Sequence, residues 1–163
     1  MPNKLYQADE TAIRFINSGG DVTFSPASVA DGAGRISAQH DFGASSHANF
    51  FNWRAETQAQ ATPTLGAVVR MFLVLSDETT DLPGRFGTSD AAVSTEDLLR
   101  NLTPLGHIVC DNAGANTKFI RHGTVFIPTR YVSLLWWNDL GATLTSDNTE
   151  HFFDLTPIPP ELQ

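Results

Sequence analysis

The chain has 163 residues and carries ten Lys and Arg against 18 Asp and Glu, for a formal net charge of −8. A chain of this length buries enough surface for one self-sufficient core, which favours a single domain. The cations are scattered singly along an acidic chain, so we expect no direct contact with nucleic acid and none with an anionic membrane. The longest apolar run, 68–75, is interrupted by Arg70 and is too short to span a bilayer.

Both ends of the chain are predicted to be extended arms. Residues 1–10 show neither helical nor strand periodicity and lack the apolar stretch of a signal peptide, so we expect synthesis in a cytoplasm. Residues 157–163 contain three prolines, which have no amide hydrogen and exclude a central strand. Ordinary frayed termini are the alternative. Four apolar side chains of the arms are candidate contacts with a neighbouring subunit: Leu5, Tyr6, Ile158 and Leu162.

Residues 11–156, between the arms, are predicted to form one β-domain. A glycine turn at 17–20 indicates a hairpin between the first two strands. One short helix is expected at 94–100, with Ser94 as its cap. Many short strands at nearly regular spacing predict an all-β, antiparallel two-sheet β-sandwich, with jelly-roll connections as one possibility. The expected strands are 11–16, 21–24, 35–39, 47–57, 64–76, 105–111, 117–127, 131–138, 142–145 and 151–155.

Alternation along these strands predicts which side chains face the core. Phe51 and Trp53 share one face of their strand, whereas Phe50 alternates with them on the more polar face. The run 64–76 has one wholly apolar face that must be covered. Trp136 and Trp137 are neighbours on a strand and must point to opposite faces, so we expect at least one of them near the outer surface. Trp136 is therefore a candidate subunit or capsid contact.

Exposed tryptophans suggest an alternative function in carbohydrate binding, because sugar-binding sandwich modules use aromatic rings as stacking platforms. Trp53, Trp136 and Trp137 are the candidates for such a role. Placement in a core or an interface is the simpler explanation of the three rings, since aromatic residues are used readily in both.

Residue clusters that could carry chemistry are sparse. The pair His40–Asp41 is the nearest approach to a metal or acid–base pair, but adjacent strand residues diverge. The acidic loop 77–81 lacks the central glycine and terminal glutamate of a calcium-binding EF-hand. Cys110 is alone and is predicted to be a buried strand residue. We therefore expect no enzymatic activity, no metal and no cofactor, and we keep a β-sandwich hydrolase or isomerase with a His and carboxylate cleft as an alternative.

Several stretches together resemble virion proteins of tailed bacteriophages, over about the last two thirds of the chain. They are Trp-Arg-Ala-Glu-Thr at 53–57, Pro-Thr-Leu-Gly-Ala-Val-Val at 63–69, Leu-Val-Leu-Ser-Asp at 73–77, Gly-Thr-Ser-Asp-Ala-Ala at 87–92, Leu-Arg-Asn-Leu at 99–102, Arg-Tyr-Val-Ser at 130–133 and Phe-Asp-Leu-Thr-Pro-Ile-Pro at 153–159. The likeness is one of rhythm and wording and includes no catalytic signature.

The resemblance implies a cement or decoration protein on the exterior of a phage capsid. Such a protein would be made in the host cytoplasm, bind the major capsid protein, associate with itself as a homo-oligomer and stabilise the head. The family offers no binding residues that can be transferred to this chain. A carbohydrate-binding or host-adhesion module of the particle, and a tail or head–tail component, are the alternatives.

Overall fold

The computed structural model describes residues 11–43, 48–80 and 82–158. These residues form strands β1 Ile13–Ile16, β2 Val22–Thr23, β3 Ala33–Ile36, β4 His40–Asp41, β5 Phe50–Gln58, β6 Val68–Ser76, β7 Ala91–Val93, β8 Thr103–Val109, β9 Lys118–Phe126, β10 Tyr131–Asp139 and β11 Phe152–Ile158. Short 3-10 helices occupy Pro83–Arg85, Glu96–Asn101 and Asn148–Glu150.

The strands make two sheets. One has five strands in the order β2-β1-β11-β5-β9, and the other has β7-β3-β10-β6-β8 with β4 also paired to β10. All pairings are antiparallel except that between β1 and β2. The predicted all-β, antiparallel two-sheet architecture is confirmed. Jelly-roll connectivity stays a prediction.

The buried apolar side chains of the described residues form two clusters. The larger one lies between the sheets and takes Phe51 and Trp53 from β5, as their alternation predicted, together with Val69, Met71 and Leu73 from β6. The smaller cluster lies on the other side of the six-stranded sheet. It consists of Ile36, Val74, Leu82, Val93, Leu99, Leu102, Leu135 and Trp137. Strand β10 therefore has an apolar layer on both faces, which explains why residues 132–138 are all buried.

Several local predictions are wrong. Residues 17–20 do not make a hairpin turn, because Phe15 pairs with Val22 in the parallel direction. Residues 142–145 form no strand, although Leu144 makes an isolated bridge with Ala59. The expected helix at 94–100 is a 3-10 helix over Glu96–Asn101, and no side chain caps it.

The C-terminal arm does not begin at residue 157. Pro157 pairs with Phe51 and Ile158 with Phe50, so both extend β11 along β5. The pairing of β11 with β1 covers only Phe153–Leu155, so among the described residues this end of β11 has a partner on one side only. A proline is tolerated where a strand lacks one of its two neighbours. The segments 1–10 and 159–163, with Leu5, Tyr6 and Leu162, lie outside the described residues.

Candidate functional site

The outer face of the five-stranded sheet carries an exposed apolar row, formed by Phe50, Phe126 and Ile158. Phe50 of β5 lies opposite Phe126 of β9 on one side and opposite Ile158 of β11 on the other. The two phenylalanine rings are in contact, with centroids 5.1 Å apart. Their side chains are 53% and 50% exposed, and Ile158 is half-buried. Cross-strand stacking thus gathers three apolar side chains at one end of the sheet.

Strand alternation explains why the row faces outward. Phe51 and Trp53 point into the core, so Phe50 and Asn52 must point to the opposite face of β5. The next row along the sheet is neutral and polar. In it Thr124 of β9 donates a hydrogen bond to the Asn52 side-chain oxygen, over 3.2 Å. The apolar row is therefore bordered on this face by uncharged side chains.

Charged side chains on this face begin one row further on, and they are paired with each other. Arg14 donates two hydrogen bonds to Asp154, of 2.7 and 2.8 Å, and this contact raises the pKa of Arg14. Arg54 donates to Glu56 over 2.7 Å. Both guanidinium groups also lie over the ring of Phe152, at 4.8 and 4.9 Å from its centroid. These charges therefore satisfy one another, whereas the exposed apolar surface of Phe50 and Phe126 is left open to solvent.

The structure corrects the expectation for the tryptophans. Trp136 is 1% exposed and lies in the cluster between the sheets, where its ring meets Phe24 edge-on at 5.0 Å. Trp137 is 3% exposed because the second cluster covers the opposite face. Trp53 is 6% exposed. Trp136 therefore cannot contact a partner in this structure, and none of the three rings can serve as a platform for a sugar.

His40 and Asp41 do not form an acid–base pair. The Asp41 carboxylate accepts two hydrogen bonds of 2.8 Å from Arg130 and one of 2.7 Å from the Gly43 amide, which lower its pKa to about 2. The His40 ring instead packs edge-on against Phe42, 4.9 Å away, and burial lowers its pKa. Within the described ranges, no group of three or more His, Cys, Asp or Glu side chains could hold a metal ion.

His151 is a fully buried histidine, and its burial was not predicted from the sequence. Its Nε2 lies 3.0 Å from the Thr145 carbonyl oxygen and its Nδ1 lies 2.9 Å from Thr57 Oγ1. Since a carbonyl only accepts, Nε2 carries the proton and Nδ1 accepts from the Thr57 hydroxyl. Both nitrogens of the neutral ring are satisfied, and burial lowers the pKa of His151. The ring is thereby held as a structural element of the core.

A shallow open groove of about 390 Å³ lies on the six-stranded sheet. Arg70, at its wall, is ion-paired with Glu96 and with Asp139, and Arg100 is paired with Asp97. Phe72 and Leu99 supply the apolar part of the lining. The lining contains no histidine, serine or cysteine, so the groove does not provide the His and carboxylate cleft of the hydrolase alternative.

Cys110 and the acidic loop have local structural contacts. Cys110 is 1% exposed, in agreement with its predicted burial, and it lies just beyond the end of β8. Asp77 accepts a hydrogen bond from the Arg130 amide, over 3.2 Å. The described residues include no helix that is long and apolar enough to cross a membrane.

No known protein family matches this chain, and no curated protein is significantly similar to it.

The sequence predicted the outward direction of Phe50 but not the three-residue apolar row. The alternation of β5 already placed Phe50 on the face opposite Phe51 and Trp53. What it lacked was the pairing that sets Phe126 and Ile158 beside Phe50, because the three strands are far apart in the chain. Ile158 was a candidate contact for a different reason, its place in a supposed arm. The structure brings it to the row as a strand residue.

Proposed function

We propose that this chain is a non-enzymatic structural protein of a phage virion, which binds the capsid lattice from outside as a cement or decoration protein and stabilises the head. Its partners are the major capsid protein and further copies of itself. The proposal combines the resemblance of 53–159 to virion proteins with the one observation that carries it here, the exposed apolar row of Phe50, Phe126 and Ile158.

The row has the composition of an interface centre. Contact sites concentrate aromatic side chains at their centre and place polar groups around them. Phe50 and Phe126 are half exposed although they are large, and the Asn52 row and then the ion-paired arginines follow them along the same face. Covering two half-exposed rings removes apolar surface from water, which favours association.

The rest of the sandwich suits a brace that must not deform. Paired sheets with a filled interior are stiff, because interior side chains pack at crystal-like density. Bidentate ion pairs fasten distant segments of the surface, Arg14 to Asp154 and Arg130 to Asp41. A stiff subunit that binds at many equivalent lattice positions gains from avidity, so each single contact can be small.

The carbohydrate-binding alternative depended on exposed tryptophan rings, and these rings are buried. Trp136 and Trp137 are buried on opposite faces of β10. We therefore do not propose that function. A place in the tail or at the head–tail junction uses the same kind of contact surface, and the position of the protein in the particle distinguishes it from head decoration.

The test uses phage particles that lack this protein. Purified wild-type chain is added back, its copy number per particle is measured by quantitative mass spectrometry, and DNA release on heating is followed with an intercalating dye. We expect binding at many copies per head and a higher temperature of DNA release. The double substitution Phe50→Ser and Phe126→Ser should bind at least tenfold more weakly.

Leu65→Ser provides the matched control, because Leu65 is a 66% exposed apolar residue outside the row. It should bind and protect like the wild type. Equal temperatures of DNA release with and without bound wild-type protein would remove the stabilising role. If the added protein binds only to the tail of the particle, a tail function would replace head decoration.

A further inference from the structure

Strand β9 is a long open edge of the five-stranded sheet. Among the described residues, its nine residues, Lys118–Phe126, pair with β5 on one side and with no strand on the other. Alternate residues of a strand turn their backbone N–H and C=O groups to opposite sides, so about half of these groups in β9 have no strand partner. A long, regular edge with exposed apolar side chains is prone to pair with another chain.

The other edges of the two described sheets are short or interrupted. Strand β2 has two residues and β7 has three. Strand β8 contains Pro104, and its register with β6 shifts between Met71 and Phe72. Short length, a proline and a β-bulge all protect an edge from pairing. Strand β9 has none of these features, since it contains no proline and keeps one register with β5 over all nine residues.

The outer face of β9 presents two apolar side chains at this edge. Ile120 is 53% exposed and Phe126 is 50% exposed. They lie on the same face of the strand, because side chains alternate and the two positions are an even number of residues apart. An antiparallel second copy of β9 can therefore place its Phe126 opposite Ile120 and its Ile120 opposite Phe126. This reciprocal contact is the kind that a two-fold dimer makes.

Charge favours this register over its neighbours that keep both outer faces on the same side. In it Gly123 lies on the two-fold axis, and each Arg121 lies opposite Val125 of the second copy. The two arginines are then four residues apart along the strands, about 14 Å. With His122 on the axis they would be two residues apart, about 7 Å, which is less than the Debye length of about 8 Å. A shift in the other direction shortens the overlap of the strands.

The overlap in this register covers residues 120–126 of both copies. Hydrogen-bonded pairs alternate along an antiparallel ladder and each pair exchanges two bonds, so the overlap gives about six to eight backbone hydrogen bonds. A typical interface between proteins has about ten, with a spread of about five. The open edge therefore supplies the hydrogen bonds that a dimer needs, and Ile120 and Phe126 add apolar contact on both sides of the axis.

We propose that two copies of this chain form a two-fold dimer through antiparallel pairing of their β9 edges, with Ile120 of each copy opposite Phe126 of the other. The inference rests on the homo-oligomer of the proposed function and names its surface, and it does not require a capsid. The two five-stranded sheets join into one continuous sheet. The apolar row of Phe50, Phe126 and Ile158 stays on the outer face, where Ile120 of the second copy extends it.

The first experiment measures self-association of the full chain by sedimentation equilibrium, in the absence of capsids. We expect the wild-type protein to dimerise. Ile120→Lys should weaken dimerisation at least tenfold, because a lysine on an edge strand opposes pairing with another strand. Leu65→Lys is the matched control and should dimerise like the wild type, since Leu65 is also an exposed apolar residue but lies outside β9. A monomeric wild type, or an Ile120→Lys variant that dimerises normally, would overturn the inference.

The second experiment determines the register by disulfide cross-linking. In the proposed register His122 lies opposite Thr124 of the second copy, with Cα atoms about 5 Å apart, which a disulfide can bridge. Each residue is about 8 Å from its own equivalent, which is too far for a disulfide. His122→Cys and Thr124→Cys should therefore cross-link when they are mixed and oxidised, and neither should cross-link alone. Both positions are exposed, whereas the native Cys110 is 1% exposed.

The cross-linking result also tests the dimer without an edge-disrupting substitution. Cross-linking of His122→Cys with itself would place His122 on the axis and overturn the proposed register. The absence of any cross-link in the mixture would overturn the pairing of the β9 edges.

The dimer and the capsid role can fail separately. A wild-type protein that dimerises in this register but does not bind capsids would remove the proposed function and leave the dimer intact. A protein that binds and protects capsids while it stays monomeric in solution and fails to cross-link would overturn the dimer and leave the decoration role.

Discussion

His151 makes the stability of this protein depend on pH in a defined direction. The buried ring is neutral in the folded state, donating to the Thr145 carbonyl and accepting from Thr57, and burial lowers its pKa from the ordinary value of 6.5. In the unfolded chain the ring takes up a proton near pH 6.5. Below that pH the unfolded state binds more protons than the folded state, so the free energy of unfolding falls as pH falls.

The size of this effect follows from the linkage relation. One pH unit below the unfolded pKa, a single histidine whose folded pKa is lowered reduces the free energy of unfolding by at most about 1.4 kcal/mol, the value reached when the folded ring takes up no proton. Replacing His151 by Gln removes this loss, since glutamine does not titrate. The same substitution costs about 1–3 kcal/mol at pH 7.5, because it removes the buried imidazole that bonds both the Thr57 hydroxyl and the Thr145 carbonyl.

The assay is urea unfolding at pH 7.5 and pH 5.5, followed by tryptophan fluorescence. All three tryptophans are buried and report on loss of the core. We expect the gap in stability between wild type and His151→Gln to narrow between the two pH values, by at most about 1.4 kcal/mol. His107→Gln, at an exposed position, should track the wild type at both. Since the half-buried His40 is present in every variant, its own contribution cancels. A gap that is equal at pH 7.5 and 5.5 would refute the argument.

Two further predictions concern packing and charge. Gly123→Ala should lower the free energy of unfolding by about 1–3 kcal/mol in urea titrations, because the added Cβ would lie 2.7 Å from Trp53 Cζ2. Gly87→Ala is the control and should be nearly neutral, since a Cβ at Gly87 would have no atom within 4 Å. Asp90→Asn should raise the rate of thermal unfolding and cost about 1.5–3 kcal/mol, since Asp90 accepts hydrogen bonds from the partly buried Arg35 and from the Ser25 amide. An unchanged melting temperature of Gly123→Ala or of Asp90→Asn would contradict the contact on which that prediction depends.

Local backbone geometry explains what could be read from single segments. Adjacent residues of a strand point to opposite faces whatever the strand pairs with, so the inward direction of Phe51 and Trp53 and the apolar face of β6 were predictable. The same alternation placed Phe50 on the outer face. Many short apolar runs between turn residues were sufficient for the two-sheet architecture, because such strands can bury their apolar faces only against a second sheet.

Alternation also predicted that Trp136 and Trp137 would diverge, and they do. It could not show that both faces of β10 are covered. The second layer over Trp137 comes from Val93 and Leu99, which belong to a strand and a 3-10 helix elsewhere in the chain. The exposure of a tryptophan therefore depends on which distant elements pack over it, and the residues next to it in the sequence do not predict that packing.

The position of the apolar row was likewise determined in part by the sequence and in part by the tertiary structure. The sequence by itself determined that Phe50 stands apart from the core residues of its strand, because that depends only on the two-residue repeat of an extended backbone. Only the tertiary structure decided that Phe126 and Ile158 lie beside it, and that Pro157 continues a strand. Those placements depend on the order and register of strands from distant parts of the chain, which are selected by the packing of the whole sandwich.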